Sequence, residues 1–128
     1  MNNRIINTPK APQPIGSYNQ CIISNGFVFT AGQVPIDPNT GKLVNGDFKD
    51  RVRRVMENLK SILEEAETSL SNVVKFTVFL TDMSNYTEVN EVFNEFMKDS
   101  EAPARSLVEV SSLPAGADVE IDSIATFW

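Results

Sequence analysis

"VVKFTVFL", residues 73–80, is the stretch on which the fold turns. It is a near-continuous run of β-branched and aromatic residues. Such a run reads as a strand covered on both faces rather than one with a wet side. Helical patterns lie on either side of it. Upstream, Val52, Val55, Met56, Leu59, Ile62, Leu63 and Ala66 recur at i, i+3, i+4, i+7 spacing. They predict an amphipathic helix capped by Asp47 and running to about Thr68. Its other face carries Arg53, Arg54, Glu57, Lys60, Glu64 and Glu65, the composition of a solvated surface. Downstream, Tyr86, Val89, Phe93, Phe96 and Met97 form a second stripe with Val92 beside it, and Asn85 and Glu88 stand at capping-box spacing.

Strands lie further out. "SYNQCIIS" and "FVFTAGQ" flank Asn25-Gly26, a two-residue hairpin turn signal, within residues 17–33. The turn-rich "PIDPNTGKLVNGD" surrounds a short strand near Lys42 to Val44. "ARSLVEVSSL" and "DVEIDSIATF", joined by Pro114-Ala115-Gly116, close the chain. The order β-β-β-α-β-α-β-β predicts one α+β domain over residues 1–128, a mixed sheet with two helices on one face. On the strand after Pro103, the apolar set Ser106, Val108 and Val110 reads as the core side, opposite Arg105, Leu107 and Glu109. On the last strand Glu120, Asp122 and Ile124 alternate with Val119, Ile121, Ser123 and Ala125. A face of that mixture is too apolar for solvent and too charged for a core. A subunit interface enclosing polar pockets fits it.

Composition narrows the chemistry. The chain has 128 residues, a net charge of -6, no histidine and one cysteine, Cys21, which reads as a small buried hydrophobe. Without histidine there is no Ser-His or Cys-His nucleophile and no histidine-ligated metal. A carboxylate cluster is the one kind of metal site left open, though no spaced acidic calcium loop occurs, and no Gly-rich phosphate loop occurs either. The acidic balance disfavours a nucleic-acid partner. No apolar run reaches the length of a membrane span, and no signal peptide is legible. A cytoplasmic location is expected, or a mitochondrial one if a presequence was removed.

Several ordered blocks then carry a resemblance. "APQPIGSYNQ" (11–20), "TAGQVPIDPNTG" (30–41), "VKFTVFLTDM" (74–83), "YTEVNEVFNEF" (86–96) and "PARSLVEVSSLPAGADVEIDSIA" (103–125) together resemble the RidA/YjgF/YER057c/UK114 family. The resemblance implies a chorismate-mutase-like fold and a homotrimer with three inter-subunit clefts. It also implies cofactor-independent hydrolysis of 2-iminopropanoate and 2-iminobutanoate to 2-oxo acids and ammonia. By position it makes Arg105 and Glu120 catalytic, and places Tyr18, Gly32, Asn90, Arg105 and Leu107 around the substrate. Leu107 stands where many such enzymes have cysteine.

The residue types suit that chemistry. A guanidinium pairs with a substrate carboxylate in a bidentate, charge-assisted way. A carboxylate can orient or deprotonate water and return a proton to leaving ammonia. From the strands alone, however, Arg105 reads as half of a structural salt bridge, and Glu120 as a partner for an arginine or lysine across a subunit seam. A trimer that binds ligands or proteins without turnover is the alternative function. Set beside Glu120 on an adjoining strand, Arg105 becomes the expected anchor of the cleft.

Overall fold

The structure, a computed structural model, describes residues 3–127. Val73–Leu80 (β6) runs through the middle of a six-stranded sheet ordered β1-β2-β3-β8-β6-β7. The other strands of this sheet are Arg4–Ile6 (β1), Cys21–Ser24 (β2), Phe27–Thr30 (β3), Ala104–Glu109 (β7) and Val119–Thr126 (β8). β7 pairs with β6 in parallel, and every other pairing is antiparallel. A parallel pair needs a long crossover, and helix α2 (Tyr86–Met97) supplies it. Ile36–Asp37 (β4) and Lys42–Leu43 (β5) form a separate small hairpin. β5 is the short strand expected near Lys42; the N-terminal β1 and β4, its hairpin partner, add to the strand order expected from sequence.

Helix α1 (Phe48–Glu65) begins on a capping box: Asp47 accepts from the Asp50 N–H at 3.0 Å, and Asp50 accepts from the Asp47 N–H. It ends short of Thr68. Glu67 takes a left-handed φ of 62°, and Thr68 N–H turns back to the Leu63 carbonyl at 3.0 Å. The second box does not form. Asn85 sits at φ -82°, ψ 4°, not in the extended backbone an N-cap uses, and makes no side-chain cap bond. The chain enters α2 through a 3₁₀ turn, Met83–Asn85, whose cap is Asp82 accepting from Ser84 N–H at 2.9 Å. Asn25 and Gly26 both have positive φ, 54° and 80°, as a tight twisted hairpin turn requires.

Both helices lie on one face of the sheet, which is what the stripes predict. Val52, Val55, Met56, Leu59, Ile62 and Leu63 of α1 and Val89, Val92 and Phe93 of α2 are buried against Val28, Phe76, Val78, Leu80, Val119, Ile121 and Ala125. Phe76 and Phe93 meet edge to face at 5.0 Å. Arg53 bridges the helices, donating to both Glu95 carboxylate oxygens at 3.0 Å, and Lys49 pairs with Glu91. Arg54 donates to Asn58 Oδ1. The Arg53-Arg54 pair is therefore a set of ties rather than merely solvated surface.

The face assignment on β7 is reversed. Register places Arg105 beside Phe76 and Leu107 beside Val78, so these face the helices. Ser106 and Val108 face away, and Val108 is 42% exposed. The more apolar side of this strand points at the sheet's open face. Phe27, Phe29, Ile124 and Phe79 share that open face with Lys75, Glu120 and Asp122.

Candidate active site

Glu120 sits on β8, on the open face. An isolated bridge holds the preceding loop against it: Gln33 N–H donates to the Ile121 carbonyl at 2.9 Å, and Ile121 N–H donates back at 3.1 Å. This lays Gly32 directly beneath the carboxylate. A Cβ built on Gly32 would stand 2.6 Å from Glu120 Oε2 and 2.8 Å from Cδ. Only a residue without a side chain permits that approach. Tyr18, Gly32 and Glu120 line one cavity of about 340 Å³, walled by Ile15, Val34 and Pro114. Burial raises the Glu120 carboxyl above its ordinary range, and nearby Asp122 raises it further.

Two buried amides hold this cavity's walls. Gln20 donates to the carbonyls of Thr8 and Pro12 at 3.1 and 2.8 Å, fixing the segment that carries Pro12 and Gln13. Asn58, fully buried on α1, donates to the carbonyl of Ile36 at 3.0 Å and of Val34 at 3.4 Å. Neither was singled out from sequence. For Asn58 a signal existed: an amide among the apolar positions of a helix stripe needs partners if it is buried.

Arg105 and Asn90 line a different cavity, of about 680 Å³, with Phe76, Phe93 and Met97. The Arg105 guanidinium lies over the Phe93 ring, 5.3 Å from its centroid. Among the described residues it has no carboxylate partner, so no salt bridge within the chain accounts for it. Leu107 lines neither cavity and packs against the core. Nor does Glu120 lie on a strand adjoining that of Arg105. β6 runs between β7 and β8, and the two side chains project from opposite faces. One chain thus holds the expected site residues in two separate groups: Tyr18, Gly32 and Glu120 on the open face, and Asn90 and Arg105 under α2. Among the described residues no cluster of three or more cysteine, aspartate or glutamate side chains could hold a metal.

The family model described as Endoribonuclease L-PSP matches residues 8–127. The chain belongs to this family, that of the YjgF/RidA proteins. A RutC family protein of Pyrococcus abyssi is 50% identical over 98% of both chains. The human 2-iminobutanoate/2-iminopropanoate deaminase is 37% identical over 95% of this chain and 88% of its own. The crystal structure of Escherichia coli TdcF with bound serine superposes with a TM-score of 0.92 at 38% identity, covering 96% of this chain and 98% of that one. The YjgF/RidA fold, two helices on a mixed sheet, is the one the strand and helix patterns predict.

Proposed function

We propose that the protein hydrolyses reactive 2-imino and enamine acids, typified by 2-iminopropanoate and 2-iminobutanoate, to 2-oxo acids and ammonia. The observation that carries this reading is the state of Arg105: exposed, laid on Phe93 and without a carboxylate partner among the described residues. A guanidinium so placed is ready for the carboxylate of a small acid. Glu120 would work on the other end of the substrate. With its pKa raised, it takes a proton from water as the water oxygen adds to C2, then returns it to the nitrogen. The proton of the newly added hydroxyl then moves to the nitrogen as the C–N bond breaks, so that ammonia leaves and the 2-oxo acid remains. Tyr18 and the Gly32 backbone wall the reacting centre, and Asn90 lies beside the anchor. The human and Escherichia coli relatives support the substrate class.

Half-sites on opposite faces cannot act on one small molecule within a single chain. Two copies can, if the Arg105 half-site of one meets the Glu120 half-site of the next. A closed ring of three then holds three complete sites. The half-apolar open face supplies a surface for such an assembly. RNA cleavage, named in the family model's description, has less support, because a net charge of -6 repels a phosphate backbone.

The test generates 2-iminobutanoate with a dehydratase and follows its decay. Arg105→Ala and Glu120→Gln should each lose about hundredfold or more in kcat/KM. Refolding the two variants together at equal amounts should restore about a quarter of the sites, since one pairing in four joins both intact residues. No acceleration by the unmodified protein would reject the reaction. Recovery absent from the mixture would reject the shared cleft.

A further inference from the structure

The cavity under α2 has a charge balance unlike that of the chain around it. In a protein of net charge -6 it is lined by two cations, Arg105 and Lys98, and among the described residues by no carboxylate. Its other polar groups are Asn90, Asn94 and Ser100, and the remaining lining is apolar. Asn90, Asn94 and Lys98 stand at i, i+4 and i+8, so they form one row along the helix. The acids of α2, Glu88, Glu91 and Glu95, lie outside the lining, and the last two are tied to α1. Lys98 caps the C-terminal end of α2, and residues 99–103 lead from it to β7, where Arg105 is the second residue. This short return brings both cations to one cavity. Asp99 and Glu101, within the return, are exposed and do not line it. Like Arg105, Lys98 forms no salt bridge among the described residues. A lysine at a helix C-terminus suits the helix dipole, but the dipole does not require that every carboxylate stay out of the cavity.

We propose that Lys98 receives a second carboxylate, so that the site prefers small 2-imino dicarboxylic acids, such as 2-iminosuccinate and 2-iminoglutarate, to monocarboxylic ones of the same length. Arg105 holds the carboxylate beside the C=N carbon in a bidentate pair. The Lys98 ammonium, a compact charge on a flexible stem, takes the carboxylate at the far end of the molecule. Asn90 and Asn94 add amide donors along the same wall. The reaction is otherwise the same: water adds to C2, the nitrogen leaves as ammonia, and a 2-oxo dicarboxylic acid remains. This rests on Arg105 being the anchor of the substrate's first carboxylate.

The measurement is titration calorimetry with two stable products of equal length, 2-oxoglutarate and 2-oxopentanoate, beside hydrolysis assays on the matching imines. 2-Oxoglutarate should bind about fivefold more tightly or better, the worth of one further charge pair near the surface. Lys98→Gln should bring the ratio of the two dissociation constants close to one, and Lys98→Arg should preserve it. Lys98 is exposed, so both variants should fold. Absence of a preference in the unmodified protein overturns the proposal, and so does a preference that survives in Lys98→Gln. Inorganic phosphate binding as tightly as 2-oxoglutarate would reveal a general anion hollow and overturn it too. Preferential binding without hydrolysis of either imine upholds the dicarboxylate site and rejects the imine reaction. Hydrolysis of both imines without preferential binding does the reverse.

Discussion

Gly32 and Glu120 are the pair on which the proposed site turns at the level of single residues. A methyl group at position 32 would fall 2.6 Å from a carboxylate oxygen, so one of the two must yield. Gly32→Ala should cost about tenfold or more in kcat/KM by displacing Glu120, with the fold and assembly intact by circular dichroism and gel filtration. Glu120 should also weigh on stability. Its folded-state pKa lies above the unfolded value, so the folded chain holds the proton more tightly. The stability this adds is full below the unfolded pKa and is lost as pH rises through the folded one. At pH 7 the ionised carboxylate is therefore a burden. Glu120→Gln should melt at higher temperature than the unmodified protein at pH 7, with the gap closing toward pH 4. A gap that widened on acidification would contradict the burial argument.

Elements were legible where local physics decides them. The α1 cap at Asp47 follows from side-chain reach alone, and Asp47→Ala should cost about 1 kcal/mol in urea unfolding. The apolar stripes located both helices because burial against the sheet demands that spacing. Spacing was a poorer guide at α2, where Asn85 and Glu88 stand correctly in sequence but the incoming 3₁₀ turn takes the Asn85 backbone out of the capping conformation. The α1 pattern also hid Asn58. Removing its amide takes a donor from two part-buried carbonyls on the cavity wall, so Asn58→Ala should destabilise by about 1–3 kcal/mol. A urea midpoint unchanged from the unmodified protein would show that those carbonyls find other partners.

For the whole molecule, the face of β7 was misread for a reason that applies to the entire sheet. Alternation tells which residues share a face, but not whether the chain's own helices or a second copy will cover it. Val108 looked like core because it is apolar, yet it points to the side this chain leaves open. For the same reason Arg105 and Glu120, expected on adjoining strands, are held apart in the fold. Phe29, 42% exposed on that open face, is the place to test assembly. If the proposed ring of three forms, Phe29→Glu should reduce it to monomers in light scattering and abolish the proposed imine hydrolysis, because Arg105 and Glu120 would no longer meet. Cys21 supplies a further handle. The chain's one thiol is buried on β2 and its pKa is pushed up to about 11 by that burial. At neutral pH it holds almost no thiolate, and an alkylating reagent can reach it only when β2 lifts away from the helices. The rate of iodoacetamide capture is thus a built-in clock for opening of the native fold, readable without adding a label or changing a residue.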